Sequence, residues 1–250
     1  MTEQRRTNRA EVLLVLGVSL GYSAVYGLVD LVGKLTVGKA LSSQTTTLNP
    51  SQAAGHPWLD LALQLVQISF GVVPAFLALH LLKRDGQHYG MGFQPRRIAW
   101  DAGWGAVLAA VIGIPGLALY VASRAMGINT TVVPEALPLL WWTVPVLVLS
   151  AVQNAFLEEV VVVGYLTIRL REMSWNLPLV IAASAILRGA YHLYQGFGGF
   201  IGNAVMGTIF CLFFVRFRRM LPLVICHTIL DSAAFVGYAL LRGHLAFLGI

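Results

Sequence analysis

Charge is what this sequence has least of. Lys and Arg number 17 and Asp and Glu 11 among 250 residues, 11% of the chain, where a soluble domain is about a quarter charged. That is too little to hydrate a water-facing exterior. With 57% hydrophobic residues and a mean hydropathy of +0.74, the bilayer must supply most of the surface. The chain reads as an all-α, polytopic integral membrane helix bundle, a single domain over 1–250. Cysteine is nearly absent. Cys211 and Cys226 both lie inside apolar stretches, which excludes a disulfide framework or a cysteine-based zinc site. The net charge of +6 does not imply nucleic acid, because the basic residues fall in short clusters between apolar runs rather than on one basic face. There is no internal repeat of the kind that builds secondary transporters. The glycines of segment 83–99 do not follow a strand in a phosphate-binding pattern.

What is present is a series of apolar runs long enough to cross a hydrocarbon core of about 30 Å. They fall near 11–33, 59–82, 102–124, 139–171, 177–195, 199–216 and 220–241, about seven spans. The basic start, Arg5, Arg6 and Arg9, resembles a signal-peptide n-region. The run after it is too long and lacks a small-residue cleavage site, so it is expected to stay as the first helix. The fourth run carries Glu158 and Glu159 in its middle and reads as one long helix or two short ones. The positive-inside rule selects one. With a cytoplasmic N-terminus, only Lys34, Lys39, Arg124 and Arg242 then lie outside, whereas splitting the run moves Arg169, Arg171, Arg216, Arg218 and Arg219 there too. The Ser/Thr-rich stretch from Leu41 to Gly55 reads as a flexible outer loop. His56, His80, His88 and His244 lie in loops or near span ends and are expected to be solvated or interfacial.

The informative residues are the ionisable groups inside spans: Glu158, Glu159, Arg188, His192, His227 and Asp231. An Asp, Lys or Arg at a helix centre costs about 2.5–3.5 kcal/mol on insertion scales, so these groups need an internal polar site. Asn154 and Glu158, Arg188 and His192, and His227 and Asp231 are each four apart, placing each pair on one side of its helix. Three such faces can enclose a polar cavity. Adjacent Glu158 and Glu159 diverge by about 100° on an α-helix, so one is expected to face the cavity and the other a neighbouring helix or an arginine. Tyr191 and Tyr194, beside His192, read as packing or rim aromatics. Measured from the inner span ends, His192 comes out about 24 Å deep against about 16 Å for Glu158 and about 12 Å for His227. A late-starting or tilted fifth span is needed to bring them level.

These residues resemble the CAAX protease and bacteriocin-processing family of intramembrane endopeptidases, which includes the CAAX prenyl endopeptidase. The similarity spans 92–241, with a catalytic core at 139–241. It rests on Glu158-Glu159 followed by Gly164, on Arg188-Gly-Ala-Tyr-His192, and on His227-Thr-Ile-Leu-Asp231, three motifs in order on separate spans. The family's arginine at the end of the first motif is replaced by Val163, while Arg188 stands where the second motif often has phenylalanine. The cation is therefore expected to have moved from the fourth span to the fifth, where it neutralises Glu159 or orients Glu158.

The resemblance implies an endopeptidase acting on membrane-associated, lipidated or hydrophobic peptides, in a cell membrane and expectedly a bacterial plasma membrane. It implies a catalytic set of Glu158, Glu159, His192, His227 and Asp231, with Glu158 as the base that activates water and His192 as the group positioning that water. His227 and Asp231 fall on the oxyanion side, with Arg188 and Asn154 in support. Glutamate chemistry without a cofactor is preferred. The alternative is catalytic zinc held by Glu158, His192 and His227 with Glu159 as base, against which no His-Glu-x-x-His run exists. Two other functions compete: a turnover-deficient scaffold or bacteriocin-immunity protein, and a proton-coupled transporter, since buried Glu, His and Asp also build proton relays. The partners expected are membrane lipid and a peptide substrate, not nucleic acid.

Overall fold

The computed structural model describes residues 3–87, 91–94 and 97–241. His88, Arg96, Arg242 and His244 lie outside the described residues. The chain is a helix bundle in the order α1 (Glu3–Gly17), α2 (Leu20–Thr36), β1 (Thr45–Pro50), α3 (Pro57–Gly71), α4 (Val73–Arg84), α5 (Ile98–Ala125), β2 (Thr131–Ala136), α6 (Thr143–Glu158), a π-helical segment (Glu159–Tyr165), α7 (Leu166–Glu172), α8 (Leu177–Ala190), α9 (Phe197–Phe217) and α10 (Leu221–Leu241). Among the described residues, five helices are long and apolar enough to cross a membrane: Pro57–Arg84, Ile98–Ala125, Thr143–Glu172, Phe197–Phe217 and Leu221–Leu241. A sixth is reached if the bent pair α1–α2 counts as one span. The protein is an all-α, multi-pass membrane protein.

Three of the expected runs differ in form. The first breaks into two helices bent by 53°, where Gly17, Ser19 and Gly21 cluster and the Ser19 hydroxyl donates back to the Val15 carbonyl at 2.5 Å, a common cause of sharp kinks. The fourth is continuous, as the charge asymmetry required, but its middle is widened. The run Val160–Val163 is β-branched throughout and crowds an α-helix. Here the chain takes π-type turns, and the Ser184 hydroxyl of α8 donates to the Val162 carbonyl at 2.9 Å. The fifth run, expected over 177–195, is helical only to Ala190 and continues as a 3-10 turn, Leu193–Gln195.

The stretch Leu41–Gly55, expected to be a flexible outer loop, is not the loop its composition suggests. It contains β1, which pairs in parallel with β2, Thr45 opposite Thr131 and Asn49 opposite Glu135. The buried β-ribbon residues explain the order: Thr46 and Glu135 are sheltered, and the Asn49 amide donates to the Pro134 carbonyl at 2.8 Å. Asp60 accepts from the Ser51 hydroxyl and the Gln52 amide and closes the loop onto α3.

The main core gathers around the π-helical segment, where Val160–Val163 and Tyr165 pack with Leu82, Met91, Phe210, Phe214 and Met220. At the end of the bundle opposite the strands, Arg169, which entered the sequence reading only through the charge asymmetry, is a fully buried hub. It pairs with Glu11 at 3.0 Å, Asp85 at 2.7 Å and Glu172 at 2.9 Å, tying α1, the α4 terminus and α7 together. Arg219 pairs with Asp101 and donates to the Gln94 carbonyl. The chain between α4 and α5 touches this corner at Gly92, whose φ is +66° and whose added Cβ would lie 2.1 Å from the Arg218 carbonyl oxygen. Gly92→Ala is therefore expected to destabilise by more than the about 1–2 kcal/mol that left-handed backbone costs an L-residue. Thermal unfolding in detergent measures it.

The same end carries an acid-sensitive contact. The Arg84 guanidinium beside Asp85, with Arg169 behind it, holds the Asp85 carboxyl below its ordinary value of 3.8. A depressed folded-state value means that the contribution is complete above the unfolded value and is lost as pH falls through the folded one. Melting midpoints followed from neutral to acid pH should drop less steeply in Asp85→Asn than in the wild type.

Candidate functional site

The site is assembled at the junction of α6, the π-helical segment, α8 and α10. Glu158 closes α6 and Glu159 opens the π-helical turn, so the two carboxylates leave the backbone in different directions. Arg188, on the inner face of α8, meets both. Its Nη1 lies 2.9 Å from Glu159 Oε1 and its Nη2 lies 3.3 Å from Glu158 Oε2. The cation expected on the fifth run is thus in contact with both acids. Room for it comes from α9: an added Cβ on Gly207 would lie 3.0 Å from Arg188 Cδ, while Phe210 presents its ring 5.3 Å from the guanidinium carbon.

The two acids differ in surroundings. The Glu159 side chain is 0% exposed and the Glu158 side chain 12%. Glu159 is consumed by structural contacts, since His227 Nδ1 approaches its Oε1 at 2.7 Å in addition to Arg188. That short distance requires a proton on Nδ1, because two acceptors would repel. The 3.1 Å approach of Arg188 Nη2 to the same nitrogen is then a packing contact rather than a hydrogen bond. The other His227 nitrogen, Nε2, lies 3.5 Å from Asp231 Oδ1 one turn along α10.

His192 follows α8 in the turn after Ala190. Its Nδ1 is 2.9 Å from the Arg188 carbonyl, which can only accept, so Nδ1 carries the proton and Nε2 is left as the second functional nitrogen. The early end of α8 brings His192 to the same cavity as His227 and Asp231. This cavity of about 820 Å³ is lined mainly by apolar residues of α5 and α10, together with Leu48, Val132 and Pro134 of the strands. His192, His227 and Asp231 line it, and Glu158 and Glu159 lie behind them against Arg188.

Tyr191 is the residue that pattern alone assigned to packing. Its hydroxyl donates to Glu158 Oε2 at 2.8 Å, and its ring is buried. The available signal was its position three residues after Arg188, one turn along. Asn154, by contrast, is half-buried one turn before Glu158 and stands outside this network. His56 and His80 are exposed.

The acids and histidines also bear on a metal. The set converging within 4.8 Å is Glu158, Glu159 and His227; His192, proposed as a ligand from the sequence, is replaced in it by Glu159. This set does not fit a divalent ion with Arg188 in place. The guanidinium already lies between the two carboxylates, and a second positive centre within about 3 Å would face strong repulsion in so dry a site.

No curated protein and no solved structure matches the chain. Residues 140–233 match the family described as type II CAAX prenyl endopeptidase, Rce1-like. That segment contains Glu158, Glu159, Arg188, Tyr191, His192, His227 and Asp231, and over it the chain is similar to the type II CAAX prenyl endopeptidases.

Proposed function

We propose that the protein is an intramembrane endopeptidase that hydrolyses peptide bonds of membrane-associated, hydrophobic or lipidated peptides by glutamate-activated water, without a metal. The observation that carries this reading is the Arg188-bridged pair Glu158–Glu159 packed against His227, whose ring lines an apolar cavity with His192 and Asp231. Peptide hydrolysis requires a base for water, donors for the oxyanion and a proton for the departing amine. Glu158, the more accessible acid, takes a proton from water held near His192 Nε2, and the hydroxide attacks the carbonyl carbon. His227 has a carboxylate facing each ring nitrogen and carries both protons; Nδ1–H is spent on Glu159, leaving Nε2–H to face the oxyanion, oriented by Asp231. The C–N bond then breaks, and Glu158 returns its proton to the amine.

That both acids keep a cationic partner in Arg188 supports this reading over the scaffold alternative, which drew on the missing arginine at Val163. We place the protein in a plasma membrane with its N-terminus cytoplasmic and the strand end outside, in line with the charge asymmetry of its loops. The test compares new N- and C-termini of membrane proteins in cells carrying the wild type or Glu158→Gln. Termini that appear only with the wild type support the reading; identical termini sink it.

Tyr191→Phe tests the network around Glu158. A hydrogen bond to a charged group is worth about 1.5–3 kcal/mol. If it is used to hold Glu158 for reaction, kcat should fall about 10- to 150-fold, with KM little changed in a purified peptide assay.

A further inference from the structure

The turn that carries His192 has no helix to hold it. α8 stops at Ala190, and the chain runs through a 3-10 turn to Gly196, whose φ is +109°. Carbonyls at such an end lack intrahelical partners and must find others. They find them at Lys34 and Thr46, outside the region that resembles the family, and at Thr130, ahead of its catalytic core. The Lys34 ammonium of α2 donates to the Tyr194 carbonyl at 2.6 Å and to the Thr46 hydroxyl at 3.0 Å. The Thr46 hydroxyl of β1 donates to the same Tyr194 carbonyl at 3.1 Å. Thr130, just before β2, reaches the Gln195 carbonyl with its backbone N–H at 2.8 Å and its hydroxyl at 3.0 Å, and lies 3.0 Å from the Thr46 hydroxyl.

Each part has a local reason. Asp30, one turn before Lys34, pairs with the ammonium at 2.6 Å and offsets its charge. The parallel pairing of β1 and β2 sets Thr46 opposite Val132, which leaves its hydroxyl within reach of that of Thr130, and both threonines are buried. Close approach of α2 depends on Gly27, whose added Cβ would lie 3.0 Å from the Ala190 carbonyl oxygen. The far side of the turn is held by Asn129, whose side chain accepts from the Gly199 amide at 2.9 Å.

We infer that Lys34, Thr46 and Thr130 form a clamp that positions His192, so that α2 and the β-ribbon are parts of the catalytic apparatus rather than a cover over it. The inference rests on the endopeptidase reading for its catalytic consequence. A base or water-positioning group displaced by about 1 Å can cost about 100-fold in rate. Removing one donor from the Tyr194 or the Gln195 carbonyl leaves it a single remaining partner and loosens the backbone on which His192 is mounted.

The test uses the full-length protein in detergent or nanodiscs with a membrane-peptide substrate. Lys34→Met keeps the length of the side chain and removes the donor. Backbone amides of 191–197 should exchange hydrogen faster, and kcat should fall about 10- to 100-fold with KM within about twofold. Lys34→Cys should be equally slow and regain kcat after aminoethylation, which rebuilds an ammonium at that position; the native Cys211 and Cys226 are buried. Thr130→Val serves as the second variant if the Lys34 substitutions do not fold. Unchanged exchange in 191–197, or a kcat within about twofold of wild type, overturns the clamp. If the wild type cleaves no peptide while exchange still rises in Lys34→Met, the endopeptidase reading fails and the clamp stands as a structural device only.

Discussion

Arg188→Leu is expected to be the most damaging single substitution in the protein, costing about 3–5 kcal/mol of stability, the usual penalty for breaking a buried ion pair from one side. Glu159 is fully buried and depends on this guanidinium and on His227 Nδ1, and Glu158 shares the same cation. Removing Arg188 leaves two carboxylates facing each other across a site with little water. Unfolding of the detergent-solubilised protein, by heat or denaturant, measures the loss. The second half of the prediction concerns Val163, four residues after Glu159. In a π-helical turn each N–H reaches back five residues, so position 163 lies close to the face that Glu159 uses. Val163→Arg in the Arg188→Leu background should therefore restore part of the lost stability. A double variant no more stable than Arg188→Leu alone would show that the site needs the geometry of Arg188 and not merely a cation.

The second large effect separates the two acids. Glu158→Gln should lower kcat by about 10²- to 10⁴-fold, the range general acid–base groups contribute, while leaving the fold intact, because Gln keeps an acceptor for the Tyr191 hydroxyl. Glu159→Gln should act differently. It removes the charge that faces both Arg188 and His227, so its main cost should appear in stability. A purified assay paired with a melting curve for each variant decides the matter. If Glu159→Gln is the catalytically dead but stable variant, the roles assigned to the two acids are reversed.

Much of the site was legible in the sequence because lipid makes polar residues conspicuous. Glu158, Glu159, Arg188, His192, His227 and Asp231 were visible as ionisable groups within apolar runs, and four-residue spacing placed His227 and Asp231 on one helix face, whereas Asn154 stays outside the network and His192 lies in the turn beyond the helix that carries Arg188. Tyr191 was not, because an aromatic next to a histidine reads as packing until its hydroxyl has a partner. The clamp was less visible still. Thr46 lies in a stretch whose Ser, Thr and Pro content signals a loop, and only pairing with β2 makes it a strand. The break after Ala190 was also hidden: residues 191–195 are apolar enough to extend α8 on paper, but in the structure they turn away from it.

Composition alone determined the solvent, and spacing determined which groups face inward, since both are local properties of a chain that must satisfy its backbone within a bilayer. Only the tertiary structure decided which partners those groups meet. Glu159 and Arg188 are 29 residues apart, Glu159 and His227 68 apart, and Lys34 and Tyr194 160 apart. Helical periodicity sets the direction in which a side chain leaves its own helix, but it carries no information about the helix that comes to meet it.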